Sequence, residues 1–312
     1  MCASIRASGT SEGCEQVPGT VATRSGSRER RRVWSTLWRR KTAVLGFVIV
    51  GCYVVVALLA PTLVPHDPNH QDLTRRLAPP IGLGLANADG AYPLGNDNLG
   101  RDILSRLISG TRISLMVGTS TVIGAALFGS LVGALAGYLR GWFDTVAMRV
   151  VDTWMAFPSL LLAIAFGAAF GQGLGNLVLA LVLTNWVVYS RILRSEVLVL
   201  REQQFVEAAR AIGLGDMRIV SRHILPNTLS TILVIATLQL GTVVITEASL
   251  SFLGISVESS IPTWGGMLSD GREFMRGAWW LATFPGIAIS ILVLGANLLG
   301  DGLRDALDPH VT

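Results

Sequence analysis

The chain has 312 residues, of which 51% are hydrophobic and only 15% are charged, and its mean hydropathy is +0.53. This composition excludes an ordinary soluble domain and is typical of a multi-span membrane protein. The formal net charge is +4, and 24 of the 25 basic residues are arginines, a bias from which we infer no function.

The first 41 residues form a polar segment rich in Ser, Gly, Thr and Arg, without an apolar period. We therefore expect residues 1–41 to be a disordered tail. Basic residues beside a first span usually hold that end in the cytoplasm, and we favour this interpretation over binding of nucleic acid or anionic lipid. The basic cluster at the end of the tail comprises Arg28, Arg30, Arg31, Arg32, Arg39, Arg40 and Lys41.

Six apolar segments are long enough to be membrane spans. The first carries no charge and can cross a hydrocarbon core of about 30 Å. The longest uncharged window, residues 153–190, contains the glycine-rich run from Gly171 to Asn176, which predicts a break into two helices. The predicted spans are residues 42–65, 113–139, 150–170, 174–194, 228–247 and 278–300.

The polar segment between the first two spans, residues 66–112, is expected to lie outside the membrane. In its second half, Ile103 and Leu107 are four residues apart, and Asp97 or Asn98 stands near the start of this apolar pattern. This arrangement predicts an amphipathic helix that lies along the outer membrane face.

The same external segment contains two histidines. His66 and His70, with Asp67 and Asp72 nearby, form a weak candidate for a metal site. The prolines on both sides of Asp67 favour a plain loop, and we assign no metal site to the chain.

The segment 200–227 lies between apolar spans, yet it is charged and helix-forming. Phe205, Ala209 and Ile212 are spaced as one apolar stripe of a short helix, which we interpret as a docking surface. Gly213 stands where this helix should end, because glycine adopts the left-handed conformation of a helix cap without a Cβ clash.

A second short helix is expected after the glycine turn. Asp216 is a suitable N-cap residue for a helix that runs through Ile224. Pro226 and Asn227 should then interrupt this helix before the next apolar segment begins.

The polar groups inside the uncharged windows, residues 42–65, 113–139, 153–190, 223–246 and 277–300, are neutral. Asn185 and Gln239 either line a passage or form hydrogen bonds between helices, and the sequence favours neither alternative. Glycines at four-residue spacing, namely Gly129, Gly133 and Gly137, predict a close approach between two helices.

The chemistry of an enzyme or an ion-driven carrier is missing from the sequence. A phosphate-binding P-loop needs glycines before its lysine, but Ser35 and Arg40 occupy those positions before Lys41, the only lysine of the chain. The uncharged windows lack the intramembrane acidic and basic residues that ion-driven carriers use. No His-Glu-x-x-His motif occurs, and we assign no catalytic residue.

One spaced motif resembles the cytoplasmic EAA loop of ABC importer permeases. It consists of Glu-Ala-Ala at 207–209, glycine at 213 and Leu-Pro at 225–226. His223 stands where that family usually has isoleucine. In the family this loop, here called the coupling loop (residues 200–227), is held by the ATPase subunit. The resemblance assigns to ATPase coupling the residues Glu207, Ala208, Ala209, Arg210, Gly213, Leu225 and Pro226.

Further motifs are similar to the C-type permease of dipeptide, oligopeptide and nickel importers. They occupy residues 93–107, 247–254, 262–265 and 297–309, so the resemblance covers nearly everything after residue 40. It implies an all-α permease domain, residues 42–312, with six transmembrane helices. It also implies three kinds of partner: a second permease subunit, two ATPase subunits or domains that hold ATP and Mg²⁺, and an external substrate-binding protein. No cofactor is expected on this chain.

The basic residues predict the orientation in the inner (plasma) membrane. With both termini in the cytoplasm, 18 of the 25 basic residues lie inside, as the positive-inside rule requires. Peptides are the favoured substrates, with nickel, glutathione or opines as alternatives in the same family. The rivals from other classes are an ATP-independent secondary carrier and, more weakly, a membrane-bound enzyme. We expect no nucleic-acid partner.

Overall fold

The computed structural model describes residues 40–81, 91–255 and 260–307, and this part of the chain is helical without a β-strand. Of the expected tail, residues 1–41, only Arg40 and Lys41 are among the described residues, and Lys41 is the first residue of the first helix. A short 3₁₀ turn, Leu73–Arg75, lies in the segment after the first helix. The helices are α1 (Lys41–Leu63), α2 (Ile103–Leu139), α3 (Gly141–Met155), α4 (Ser159–Phe170), α5 (Leu174–Leu200), α6 (Gln204–Ala211), α7 (Asp216–Ile219), α8 (Leu225–Phe252), α9 (Trp264–Arg272) and α10 (Trp280–Leu307).

Within the described residues, five stretches of helix are long and apolar enough to cross a membrane. They are α1, α2, α5, α10 and the continuous helix that contains α7 and α8. The pair α3 and α4 becomes a sixth candidate if the two helices, bent by 92°, form one broken span. The multi-span helical fold is thus confirmed, and the count is five or six.

The second predicted span begins earlier than expected. α2 runs without a break for 37 residues from Ile103, about 55 Å at 1.5 Å per residue. The separate surface helix predicted before residue 113 is therefore wrong. Arg106 and Thr111 of this first part face the protein and are each 3% exposed, whereas Arg112 is exposed. Asp102 caps the helix by accepting from the Leu104 and Ser105 amides.

The third predicted span, residues 150–170, covers parts of two helices. α3 ends at Met155 and α4 begins after Pro158, because proline lacks an N–H and disfavours helical backbone in the residue before it. The break predicted in the glycine-rich run is confirmed. Gly171 and Gly173 have φ of 78° and 139°, and α5 begins at Leu174.

α2 and α5 approach each other through glycines, as the spacing predicted. A Cβ built on Gly129 would lie 2.2 Å from the Trp186 carbonyl oxygen, and one on Gly133 would lie 2.3 Å from the Ser190 carbonyl oxygen. Larger residues would separate the two backbones. The helices therefore form a closely packed pair.

The largest buried cluster joins α9 and α10 to the start of α2. Trp264 and Trp280 belong to it, and their indole N–H groups donate to the carbonyls of Leu107 and Asn96 at 3.1 and 3.3 Å. These bonds satisfy the polar edge of each buried ring. They also attach the first turns of α2, through Leu107, and the segment before it, through Asn96, to the C-terminal third of the chain.

Candidate functional site

The first helix of the coupling loop, α6, packs one side against the protein. Val206 and Ala209 belong to a buried cluster that includes Tyr138 of α2 and Ile219 of α7. Glu207 is exposed, and its carboxylate takes part in no hydrogen bond or ion pair among the described residues. This acidic group is therefore free to bind a partner.

The predicted apolar stripe of this helix is not one exposed surface. Phe205 and Ile212 are 40% and 78% exposed, whereas Ala209 is only 4% exposed. Two causes explain the difference: the helix ends at Ala211, before Ile212, and Val206 rather than Phe205 fills the core. The exposed apolar side consists of Phe205, Ala208 and Ile212.

Gly213 has the predicted left-handed conformation, with φ of 80°. Its N–H donates to the Arg210 carbonyl at 2.9 Å, and the Leu214 N–H donates to the Ala209 carbonyl at 3.1 Å. These two bonds form a Schellman motif, the common helix termination in which a glycine follows the cap. Leu214 packs against the buried cluster, so the predicted cap and its apolar partner are confirmed.

Contrary to the prediction from the sequence, Asp216 is not the N-cap residue of the second helix. Gly215 is the N-cap residue of α7, and Asp216 is the first residue of the helix. Its carboxylate accepts a hydrogen bond from the Tyr138 hydroxyl at 2.8 Å. The side chain thus connects the coupling loop to α2 instead of capping its own helix.

The predicted interruption at Pro226 is wrong, because the helix continues from α7 into α8. A proline inside a helix removes a hydrogen bond and its ring collides with the carbonyl four residues earlier. A π-helical turn at Val220–Ile224 widens the backbone before Pro226, and the Leu225 N–H donates to Val220, five residues back. The coupling loop is therefore joined to α8 by continuous helical backbone.

Tyr138 is the centre of the contacts that hold the coupling loop. It is 3% exposed, and its hydroxyl accepts from Arg210 Nε at 3.3 Å while it donates to Asp216. This bond with Tyr138 raises the pKa of Arg210 above its ordinary value. The guanidinium carbons of Arg210 and Arg201 lie 5.1 and 5.7 Å from the tyrosine ring centre, within cation–π range.

Ion pairs attach α3 and the start of the coupling loop to their neighbours. Arg194 of α5 binds the Asp144 carboxylate of α3 through two nitrogens, with Nη2 2.6 Å from Oδ2. Arg140 lies 3.3 Å from Glu202. The bidentate pair is the stronger of the two, since such pairs combine charge with fixed geometry.

The structure brings the two candidate pathway residues together. Gln239 Nε2 of α8 donates to Asn185 Oδ1 of α5 at 3.4 Å, and Asn185 Nδ2 donates to the Leu181 carbonyl at 2.8 Å. Both side chains are half-buried. Hydrogen bonding between helices is thus present, and a role in lining the pathway remains a prediction.

One buried acidic residue escaped the sequence analysis. Glu247 is 1% exposed, and its carboxylate accepts from Ser251 at 2.9 Å and from Ser114 of α2 at 3.5 Å. Glu247 directly follows the uncharged window 223–246 and is the last residue of the predicted span 228–247. α8 continues past the uncharged window to Phe252, so Glu247 lies inside the helix, where it is buried.

A second charged cluster lies before α2. Arg101 binds Asp97, with Nε 2.6 Å from Oδ2, and reaches Asp270 of α9 at 3.3 Å. Arg106 Nε lies 3.7 Å from the same Asp97 oxygen. Burial raises the pKa of Asp270, against the opposing effect of the two arginines. Asp97 and Arg101 lie in a turn before the helix, in which the Leu99 and Arg101 amides also donate to Asp97 Oδ1.

His66 makes contacts of an ordinary structural kind. Its ring stacks on Tyr92 with 4.7 Å between centroids, and Nδ1 lies 3.3 Å from Asp102 Oδ2. In the part of the chain that the structure describes, no group of three or more His, Cys, Asp or Glu residues is placed to hold a metal ion.

Comparison with known proteins agrees with this arrangement. Residues 129–312 match the family described as the binding-protein-dependent transport system inner membrane component. Residues 30–80 match the N-terminal transmembrane domain of oligopeptide transport permease C. The coupling loop lies within the first of these matches.

Curated relatives match along nearly the whole chain. The dipeptide transport system permease protein DppC of Alkalihalophilus pseudofirmus is 41% identical, with 90% of each chain covered. The glutathione transport system permease protein GsiD of Pectobacterium atrosepticum is 42% identical, over 90% of this chain and 92% of the relative. The di/tripeptide transport system permease protein DppC of Pseudomonas aeruginosa is 39% identical, over 90% and 92%. With the family match over more than half of its length, the chain belongs to the inner-membrane permease components of binding-protein-dependent ABC importers, in the oligopeptide permease C branch.

Proposed function

We propose that this chain forms half of the translocation pathway of an ATP-driven importer for short peptides, of the dipeptide or oligopeptide class. Relatives named for dipeptide and di/tripeptide transport, 41% and 39% identical, support this class of substrate. Relatives named for glutathione transport are 42% identical. Glutathione, itself a small peptide, is therefore the second candidate.

The proposed assembly contains a second permease, two ATPase subunits or domains, and an external substrate-binding protein. The family description, a component of binding-protein-dependent transport systems, supports the binding protein and the ATP-driven partners. This chain lacks a P-loop, so ATP and Mg²⁺ are expected on the ATPase partners. Both termini and the coupling loop are placed in the cytoplasm on the basis of the charge asymmetry.

The exposed side of α6 carries the proposal for coupling. Glu207 and Ala208 face away from the protein, while Val206 and Ala209 anchor the helix beneath them. The Gly213 cap sets the direction in which the chain leaves, and Arg210, Leu225 and Pro226 connect the surface to Tyr138 and α8. A rigid helix with one exposed acidic face is suited to dock in a cleft of the ATPase.

The proposed mechanism is alternating access. Closure of the ATPase partners on ATP binding displaces the coupling loop, and the packed helices rotate from an inward-facing to an outward-facing arrangement. Asn185 and Gln239 are the proposed pathway residues, since neutral amides offer donors and acceptors to a peptide backbone. Their shared hydrogen bond between α5 and α8 makes both sensitive to that rotation.

Reconstitution with the ATPase, the second permease and the binding protein tests the proposal. Proteoliposomes should accumulate labelled dipeptide only with ATP and binding protein present, and competition with glutathione and with Ni²⁺ should rank the alternative substrates. Accumulation by vesicles that contain no ATPase subunit would instead support a secondary carrier and contradict the proposal.

A further inference from the structure

The Tyr138 hydroxyl lies between the two helices of the coupling loop. It accepts from Arg210 on α6 at 3.3 Å and donates to Asp216 on α7 at 2.8 Å. These partners stand on opposite sides of the Gly213 turn. A hydroxyl has one proton to donate, and it can accept at its oxygen. It can donate to Asp216 and accept from Arg210 at the same time only when α6 and α7 hold one position relative to each other.

Tyr138 also belongs to the closely packed pair α2 and α5. Five residues before it, Gly133 allows contact with the α5 backbone, and a Cβ on Gly137 would lie 2.8 Å from the Arg194 carbonyl oxygen. The last residues of this pair cannot separate without losing that packing. A displacement that reaches Tyr138 is therefore imposed on both helices.

The other end of α2 is held just as firmly. Arg101 and Asp97, which precede the helix, are 4% and 5% exposed and form an ion pair, and Asp102 caps the first turn. α2 thus connects the coupling loop to this buried cluster over about 55 Å, the length of 37 helical residues.

We propose that Tyr138 is a positioning residue that transmits movement of the coupling loop to the α2–α5 pair through its hydroxyl, by way of Arg210 and Asp216. The inference rests on the proposed docking of the coupling loop to the ATPase. The inference adds that α2 receives this movement at Tyr138. Tyr138 itself, buried beneath the loop, does not touch the partner.

The substitution Tyr138→Phe tests this role, because it removes the hydroxyl and keeps the buried ring. The reconstituted complex should retain its ATPase subunits and continue to hydrolyse ATP. The number of peptides imported per ATP should fall about five- to tenfold, in line with the loss of one or two hydrogen bonds, one of them to a carboxylate. An unchanged ratio of uptake to hydrolysis would overturn the proposal.

Tyr189→Phe is the matched control. Tyr189 lies on α5 and is 0% exposed, and its hydroxyl has no hydrogen-bond partner among the described residues. The same atom is removed from the same helix pair without a link to the loop. An equal fall in uptake per ATP for both variants would assign the effect to general packing and overturn the proposal.

A double-mutant cycle with Asp216→Ala separates the tyrosine link from direct contact with the ATPase. If Asp216 acts through Tyr138, the double variant should couple as poorly as either single variant and no worse. If the two effects multiply, Asp216 acts on its own and the link is excluded.

Asp216 variants alone decide the question if Tyr138→Phe fails to accumulate. Asp216→Asn retains an oxygen that accepts from the hydroxyl, whereas Asp216→Ala does not, and both lose the charge. Better coupling by Asp216→Asn than by Asp216→Ala supports the link, and equal coupling overturns it. Failure of the proposed function has a different signature: Glu207→Lys would then leave ATPase retention intact, whatever the Tyr138 result.

Discussion

Gly213 determines how the chain leaves the exposed helix of the coupling loop. Its φ of 80° belongs to the left-handed region, which costs other L-residues about 1–2 kcal/mol. A Cβ at this position would meet nothing within 4 Å. Any effect of a substitution there consequently comes from backbone strain and not from a steric clash, which makes the position a clean probe of loop geometry.

Gly213→Val should insert into the membrane at the normal level and lose coupled uptake by up to about tenfold, the population change that corresponds to about 1.4 kcal/mol. Gly213→Asn is the control, since asparagine tolerates the left-handed conformation. Uptake and substrate-stimulated ATP hydrolysis are measured for both variants. Equal uptake by the valine and asparagine variants would show that the left-handed turn is dispensable.

Glu207→Lys should weaken retention of the ATPase subunits. The substitution reverses the one exposed acidic charge of α6, and loss of a charged hydrogen-bond partner at an interface costs about 2–5 kcal/mol. Pull-down of the ATPase with the solubilised permease is the measurement. Glu273→Lys reverses the charge of another exposed glutamate, outside the loop, and should retain the ATPase. Normal retention by Glu207→Lys would remove α6 from the docking interface.

At the scale of whole elements, the α2–α5 pair depends on contact between backbones. Gly133 approaches the Ser190 carbonyl so closely that a Cβ would lie 2.3 Å from the oxygen. A backbone oxygen in the middle of a helix cannot rotate away as a side chain can. The two helices would have to move apart to admit even one methyl group.

Gly133→Ala should therefore destabilise the protein by about 1–3 kcal/mol, the usual cost of overpacking, and lower its thermal midpoint in detergent. Gly51→Ala is the control, because it adds the same atom in the middle of α1 where nothing lies within 4 Å. Fluorescence-detected size exclusion after heating measures both variants. Equal midpoints would mean that α2 and α5 are not closely packed in the membrane.

At the scale of the whole molecule, the distribution of charge predicts how the protein is oriented in the membrane. Placing the coupling loop inside the cell collects 18 of 25 basic residues on the cytoplasmic side, in agreement with the positive-inside rule. The same orientation puts the cluster of Arg101, Asp97 and Asp270 outside. One face would then meet the ATPase and the other the binding protein.

Single cysteines can test this orientation in a background that lacks Cys2, Cys14 and Cys52. Cysteines at positions 20 and 215 should be protected from an impermeant thiol reagent in intact cells, and a cysteine at position 90 should react. Permeabilised cells provide the control, since all three positions should then be labelled. Labelling of position 215 from outside would reverse the proposed topology.

Local features of the chain were predictable without the structure. The helical membrane fold follows from long uncharged segments, because each must satisfy its backbone hydrogen bonds within the bilayer. The breaks at Gly171 and Gly213 follow from glycine's freedom to adopt positive φ. For the coupling loop, the spaced motif predicted the residues, and the structure adds which side of α6 is exposed. Their role in coupling stays a prediction.

Other features were decided only by tertiary packing. The Tyr138–Asp216 bond joins residues 78 positions apart, and no local pattern specifies such a pair. α2 begins as early as Ile103 because neighbouring elements bury Arg106. The helix passes through Pro226 because a π-helical turn precedes the proline. The sequence by itself determined which segments are helical and apolar, because those properties belong to neighbouring residues. Which faces meet was determined by the fold, because contact energies depend on side chains that are distant along the chain.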